Sequence, residues 1–168
     1  FAAYTYLKPL LQQVFVLSPS AISLQLLAYG AIGLLGTFLG ERLAERSLRA
    51  TFILIAAMLA AILIVSPFLS GIAGATLMVM VWGLAFGAVP VCATNWMFAA
   101  VPQAPEAGQA LLVCVIQIAL ASGALLGGEV VDWQGVSSAM LFGGALTLSA
   151  ALVFGLTLRS GMISAKQS

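Results

Sequence analysis

Histidine is absent from this sequence, and charge of either sign is scarce: 7% of its 168 residues are Asp, Glu, Lys or Arg. Without histidine the chain lacks the side chain that most often serves as a general base or metal ligand at neutral pH. The formal net charge is +1, so nothing marks a nucleic-acid partner. The two cysteines, Cys92 and Cys114, sit inside separate apolar runs and read as small packing residues. No carboxylate or cysteine cluster accompanies them, so no nucleophile–base pair or metal site can be assembled. The sequence reads as a non-enzyme with no cofactor and no metal.

What fills the chain is apolar residues, 62% of the total. A soluble domain of this size could not hide so much apolar surface. The apolar stretches are continuous rather than alternating, which favours helices over a barrel. They fall at about 1–17, 21–40, 50–66, 72–100, 107–128 and 137–158, long enough for bilayer crossings. The expected fold is therefore all-α, a polytopic transmembrane bundle of six helices. Phe1 stands where a methionine would be, and the first run is short for a crossing. The expectation is that this helix is truncated at its start.

The breakers agree with the division. Ser18-Pro19-Ser20 separates the first two runs and offers an N-cap. Ser66-Pro67 and Ser70-Gly71, Pro102 to Pro105, and Asp132 to Gly135 mark the later turns. Pro90 lies inside the long fourth run and predicts a kink or tilt. Short connections make successive helices antiparallel. Arg42, Arg46 and Arg49, then Arg159 and Lys166, fall on one side, with Glu129 and Asp132 on the other. Basic residues face the cytoplasm, so the expectation is a multi-pass protein of the inner (plasma) membrane with a cytoplasmic C-terminus. The lipid bilayer is its first partner, and no nucleic acid is expected.

Counting the helical rise from the run ends gives depth. Tyr4 and Tyr6 fall near the midplane, Gln25 in the outer half, Tyr29 and Trp82 near the middle, Asn95 in the cytoplasmic half and Gln117 centrally. Helices one, two, four and five thus carry polar or aromatic groups at depth, while three and six are nearly featureless. The first four are expected to line a cavity for a small-molecule substrate. Each Gln or Asn taken singly could equally be interhelical glue. Lys8 lies nine residues, about 13 Å, below the outer end of its run. An intramembrane charge there points to function, the alternative being a snorkelling stem. Glycines at three- and four-residue spacing, such as Gly33, Gly36 and Gly40, allow helices to approach closely. Glu45 and Arg49 at i and i+4 could pair on a helix.

Four segments carry a resemblance. Tyr4-Thr5-Tyr6-Leu7-Lys8-Pro9-Leu10, Leu43-Ala44-Glu45-Arg46 with Arg49, Trp82 to Gly87 followed by Pro90 and Trp96, and Gly123 to Gly128 resemble, in order, parts of the C-terminal half of a major facilitator superfamily transporter. The likeness is to the drug and sugar efflux branch, and residues 1–168 would form helices seven to twelve. It implies that an N-terminal six-helix half, on the same chain or separate, is a partner. It implies alternating access and proton-coupled efflux of a sugar or drug-like molecule. Substrate contacts are then expected from Tyr4, Tyr6, Lys8, Gln25, Tyr29, Trp82, Asn95 and Gln117, and a conformational latch from Arg42, Glu45, Arg46 and Arg49. In that family the coupling acid usually lies in the first half, and no Asp or Glu here falls near the midplane.

The sequence departs from the branch at Glu41 and Leu48, where the latch loop has glycines, at Glu45 for an aspartate, and at Gln117 for an asparagine. An importer of the same fold is one alternative. A non-transporting membrane assembly or interaction module is another, in which the polar groups pair helix to helix.

Overall fold

The computed structural model describes residues 7–13, 15 and 17–164, without the side chains of 13 and 154–164. Among these residues all regular structure is helical. Helix α1 (Leu7–Gln13) is followed by α2 (Pro19–Val65), a short 3-10 turn (Ser66–Phe68), α3 (Gly71–Ala100), α4 (Pro105–Gln134) and α5 (Val136–Ser164). Each of α2 to α5 contains a stretch long and apolar enough to cross a membrane.

The six separate helices expected from hydropathy are thus five, because the second and third runs join as one helix with a single break. Only Ser47 leaves helical geometry inside α2, at φ −162° and ψ 97°. The segment expected as a loop, 41–49, is rich in Glu, Arg, Leu and Ala, which are good helix formers. The helix therefore runs on to the break. Ser47 then caps the second arm: its Oγ accepts from the Ala50 amide at 3.3 Å, as an N-cap serine should.

The break folds α2 back on itself. Gly36 and Met58 line one small cavity, although 22 residues of unbroken helix would separate them by about 33 Å. The first arm (19–46) and the second arm (48–65) therefore form a hairpin. The start of α2 follows the sequence expectation. Ser18 is the N-cap, accepting from the Ala21 amide at 3.4 Å, with Pro19 at the first helical position.

Helices α2 and α3 pack most extensively, and the first arm of α2 runs parallel to α3. Gln25 meets Thr76, Tyr29 meets Gly83, Gly33 meets Gly87 and Gly40 meets Ala88, so contacts ascend together along both helices. At the crossing the backbones touch. A Cβ on Gly36 would collide with the Leu84 carbonyl group, and one on Gly87 with the Gly33 carbonyl. Thr37 joins the same crossing, its Oγ1 lying 3.1 Å from Gly33 O in its own helix and 3.0 Å from Gly87 O across the seam. The second arm packs against α5 in the opposite sense, with Gly144 against Ile64 and Leu63.

The buried core lies toward the end of the bundle that holds the Gly135 turn. Leu10, Leu11, Met78, Val79, Trp82 and Met140 are among its members. Gly135, at φ 82°, makes the left-handed turn between α4 and α5 that a side chain would resist. A smaller cluster of Ile55, Ala85, Ala88 and Cys92 packs toward the Ser47 end. Large apolar side chains remain exposed on all sides, Leu27, Phe68, Leu111, Ile118 and Leu125 among them, as expected of a surface solvated by lipid rather than water. Pro90 sits within α3, which continues through it as one helix.

Candidate functional site

The polar residues singled out from the sequence separate into two groups in space. One is a buried cluster on the seam between the first arm of α2 and α3. The other is a set of side chains on open faces of the bundle. Tyr4 and Tyr6 lie outside the described residues.

The seam cluster begins with Gln25, only 5% exposed. It stands one turn before Tyr29, so both face α3. Gln25 Nε2 donates to Thr76 Oγ1 at 2.6 Å. Thr76 Oγ1 in turn donates to Ile72 O, one turn back in its own helix, at 2.8 Å. A hydroxyl has one proton. With that proton given to Ile72 O, Thr76 can only accept from Gln25, and this fixes which end of the amide faces it. Gln25 Oε1 is consequently turned away, and it is buried without a hydrogen-bond partner. Such an orphaned acceptor costs about 1–3 kcal/mol. One turn further on, Tyr29 and Trp82 meet edge to face, with ring centroids 6.2 Å apart and planes at 87°, a favoured aromatic geometry. Trp82 is 2% exposed and belongs to the core, whereas Tyr29 is half-buried beside it.

The open group includes Lys8. It shares the exposed face of α1 with Gln12, while Leu7, Leu10 and Leu11 form the buried face. The helix stops at Gln13, short of the expected end near residue 17. Wide turns close it, from the Phe15 amide to Leu10 O at 3.3 Å and the Leu17 amide to Leu11 O at 3.2 Å. Lys8 is therefore five residues, about 7.5 Å, from the helix end rather than about 13 Å.

Gln117 is exposed on α4. This helix touches α3 chiefly near their connection, where Gly108 meets Met97 and Gln109 Nε2 lies 3.5 Å from Thr94 O. Its fully buried residues among those described are Gly108 and Gly127, toward its two ends. Asn95 is half-buried and lines a shallow depression of about 300 Å³ with Pro90, Val91 and Thr94. Gln25, Tyr29 and Trp82 are thus brought together, and Lys8, Asn95 and Gln117 are not part of their cluster.

Arg42, Glu45 and Arg46 are exposed on the last turns of the first arm, and Arg49 is half-buried just past the break. An apolar cavity of about 110 Å³ lies between the two arms and α3, reached by Leu39, Leu43, Thr51 and Leu54.

Two threonines matter here that the sequence alone did not single out. Thr76 sets the Gln25 amide, and Thr37 bridges the glycine crossing. The available signal was a lone hydroxyl within an apolar helix, four residues after a carbonyl to which it can bond back.

Comparison with known proteins extends this picture. The chain is 34% identical over 161 residues to transcription regulatory protein OpdE of Pseudomonas aeruginosa, covering 95% of this chain and 40% of that protein. It is 32% identical over 158 residues to the purine ribonucleoside efflux pump NepI of Shigella sonnei, covering 91% and 39% respectively. The corresponding Escherichia coli K12 pump is 31% identical over the same length. The chain thus spans about two-fifths of the length of these relatives. No family model matches it. No solved structure matches it either.

Proposed function

We propose that this chain is the C-terminal half of a major facilitator superfamily transporter that exports a small organic molecule, and that purine ribonucleosides are its substrate class. The observation that carries this reading is the 31–32% identity to purine ribonucleoside efflux pumps, which extends over 91% of the chain. The all-helical build and its long apolar helices agree with it. A nucleoside is neutral, has a planar face and bears several hydrogen-bonding groups. The polar side chains available to it here are amides and aromatics: Gln25, Tyr29, Asn95 and Gln117.

In this reading an N-terminal half closes the other side of the path, and the two halves rock about the site. Proton coupling then rests on the N-terminal half, since Glu129 and Asp132 lie near the Gly135 end and Glu41, Glu45 and Glu106 toward the opposite end of the bundle. Arg42, Arg46 and Arg49 put the Ser47 end in the cytoplasm of the inner membrane, and the C-terminus lies on the same side. There these arginines and Glu45 serve as the latch between conformations.

The name of the Pseudomonas aeruginosa relative favours a second reading, a membrane module that regulates rather than transports. The two part in an efflux assay. The complete protein is produced in cells lacking their own nucleoside exporters, the cells are loaded with labelled inosine, and its release is followed with and without a protonophore. Release faster than the vector control, and slowed by the protonophore, is the expected result. Release equal to the control for inosine, guanosine and adenosine refutes nucleoside export.

A further inference from the structure

Building on the transport reading, we infer that Gln25 is the specificity-determining acceptor of the site: its Oε1 takes an N–H or O–H donor from a neutral polar substrate, and Thr76 is the positioning residue that aims it. Only the donor end of the buried amide is spent on joining the helices. One hydrogen bond to Thr76 uses Nε2, and the acceptor end is left unpartnered although the residue is only 5% exposed.

The two bonds of the Thr76 hydroxyl favour this orientation. If the amide turned over, Thr76 would have to give its proton to Gln25 and release Ile72 O. The turned amide would then present two N–H donors in place of one N–H and one acceptor. The arrangement therefore holds a lone acceptor ready, which is the complement of a donor.

The surroundings set the substrate class. The seam residues Gln25, Tyr29, Thr76 and Trp82 carry no formal charge, and among the described residues the acidic side chains and Arg42, Arg46 and Arg49 lie toward the two ends of the bundle. A phosphate or carboxylate substrate offers acceptors and would find a second acceptor opposite it. A cation would find no carboxylate. A neutral molecule with N–H or O–H groups fits.

The test uses the complete protein in membrane vesicles. Gln25→Cys is placed in a background carrying Cys92→Ala and Cys114→Ala, and treated with a small water-soluble thiosulfonate. A chain retaining only Cys92, which is 0% exposed, is the buried reference. We expect Gln25→Cys to react at least tenfold faster than that reference, because a substrate acceptor must be reached from water in some state of the cycle. We expect saturating inosine to slow the reaction at least fivefold. Protection by the neutral sugar arabinose but not by inosine upholds Gln25 as the acceptor and rejects the nucleoside reading. A reaction no faster than the reference, or one slowed by neither probe, overturns the inference. Should the cysteine-free background fail to fold, Gln25→Leu in the native chain replaces it. Inosine or arabinose then raises the melting temperature of the wild-type protein and not of Q25L, and an equal rise in both overturns the inference.

Discussion

Alanine at Gly36 and alanine at Gly30 are the same chemical change in the same helix, and the structure predicts opposite outcomes. At Gly30 a Cβ meets nothing within 4 Å. The substitution gains helix propensity worth up to about 1 kcal/mol. At Gly36 the Cβ would lie 2.9 Å from the Leu84 carbonyl carbon and 3.1 Å from its Cα, with the carbonyl oxygen closer still. These are backbone atoms of a neighbouring helix and cannot swing aside as a side chain would. The helices must separate, which strains the Thr37 bond to Gly87 and the contacts of Gly33, Gly40 and Ala88. Overpacking typically costs about 1–3 kcal/mol, and a backbone obstacle puts this case at the upper end. Subtracting the propensity gain leaves G36A about 2 kcal/mol less stable than wild type, and about 3 kcal/mol less stable than G30A. At roughly 2–4 °C per kcal/mol for a domain of this size, the two variants should melt about 6–12 °C apart. Thermal melting in one detergent, monitored by helical circular dichroism, makes the comparison. Variants melting within about 2 °C of each other would refute the tight parallel seam.

Two further outcomes follow from the same geometry. Ser47→Ala removes the cap of the second arm and should lower stability by about 1 kcal/mol, seen as a modest drop in the same melt, while Ser47→Asp should hold it near wild type. Trp82→Ala should cost about 3–5 kcal/mol because it empties the core, whereas Gln117→Ala, on an open face, should leave melting within about 0.5 kcal/mol of wild type and reduce export in the inosine assay. A melt in which Q117A falls as far as W82A would place Gln117 in the packing.

The helices were legible because lipid-length apolar runs need no partner to be recognised. Runs expected at 72–100 and 137–158 correspond to Gly71–Ala100 and to α5, which continues to Ser164. The ends were less legible. Hydropathy stops where charge begins, but the helix does not, so the first arm passes the expected end at 40 and reaches 46 through Glu41, Arg42, Glu45 and Arg46. The facing of each side chain was illegible for a related reason. Depth is counted along one axis, and it placed Trp82 and Gln117 at similar heights. Direction around the axis needs an amphipathic stripe, and these helices are apolar on every side. Trp82 consequently proved buried and Gln117 exposed. The role of Thr76 required the partner helix itself, which lies 51 residues from Gln25 in the chain.

That separation has a consequence for how the protein is made. The tightest seam in the fold joins two helices that emerge from the ribosome in succession but not consecutively. Between them the second arm must enter the bilayer and turn back. Until α3 arrives, the first arm waits with its Gln25 amide and its bare glycine face unmatched. The seam therefore cannot close before the chain has been synthesised through Ala88. A stalled or truncated product ending before Thr76 would present that face to the insertion machinery, and to the proteases that clear unassembled helices.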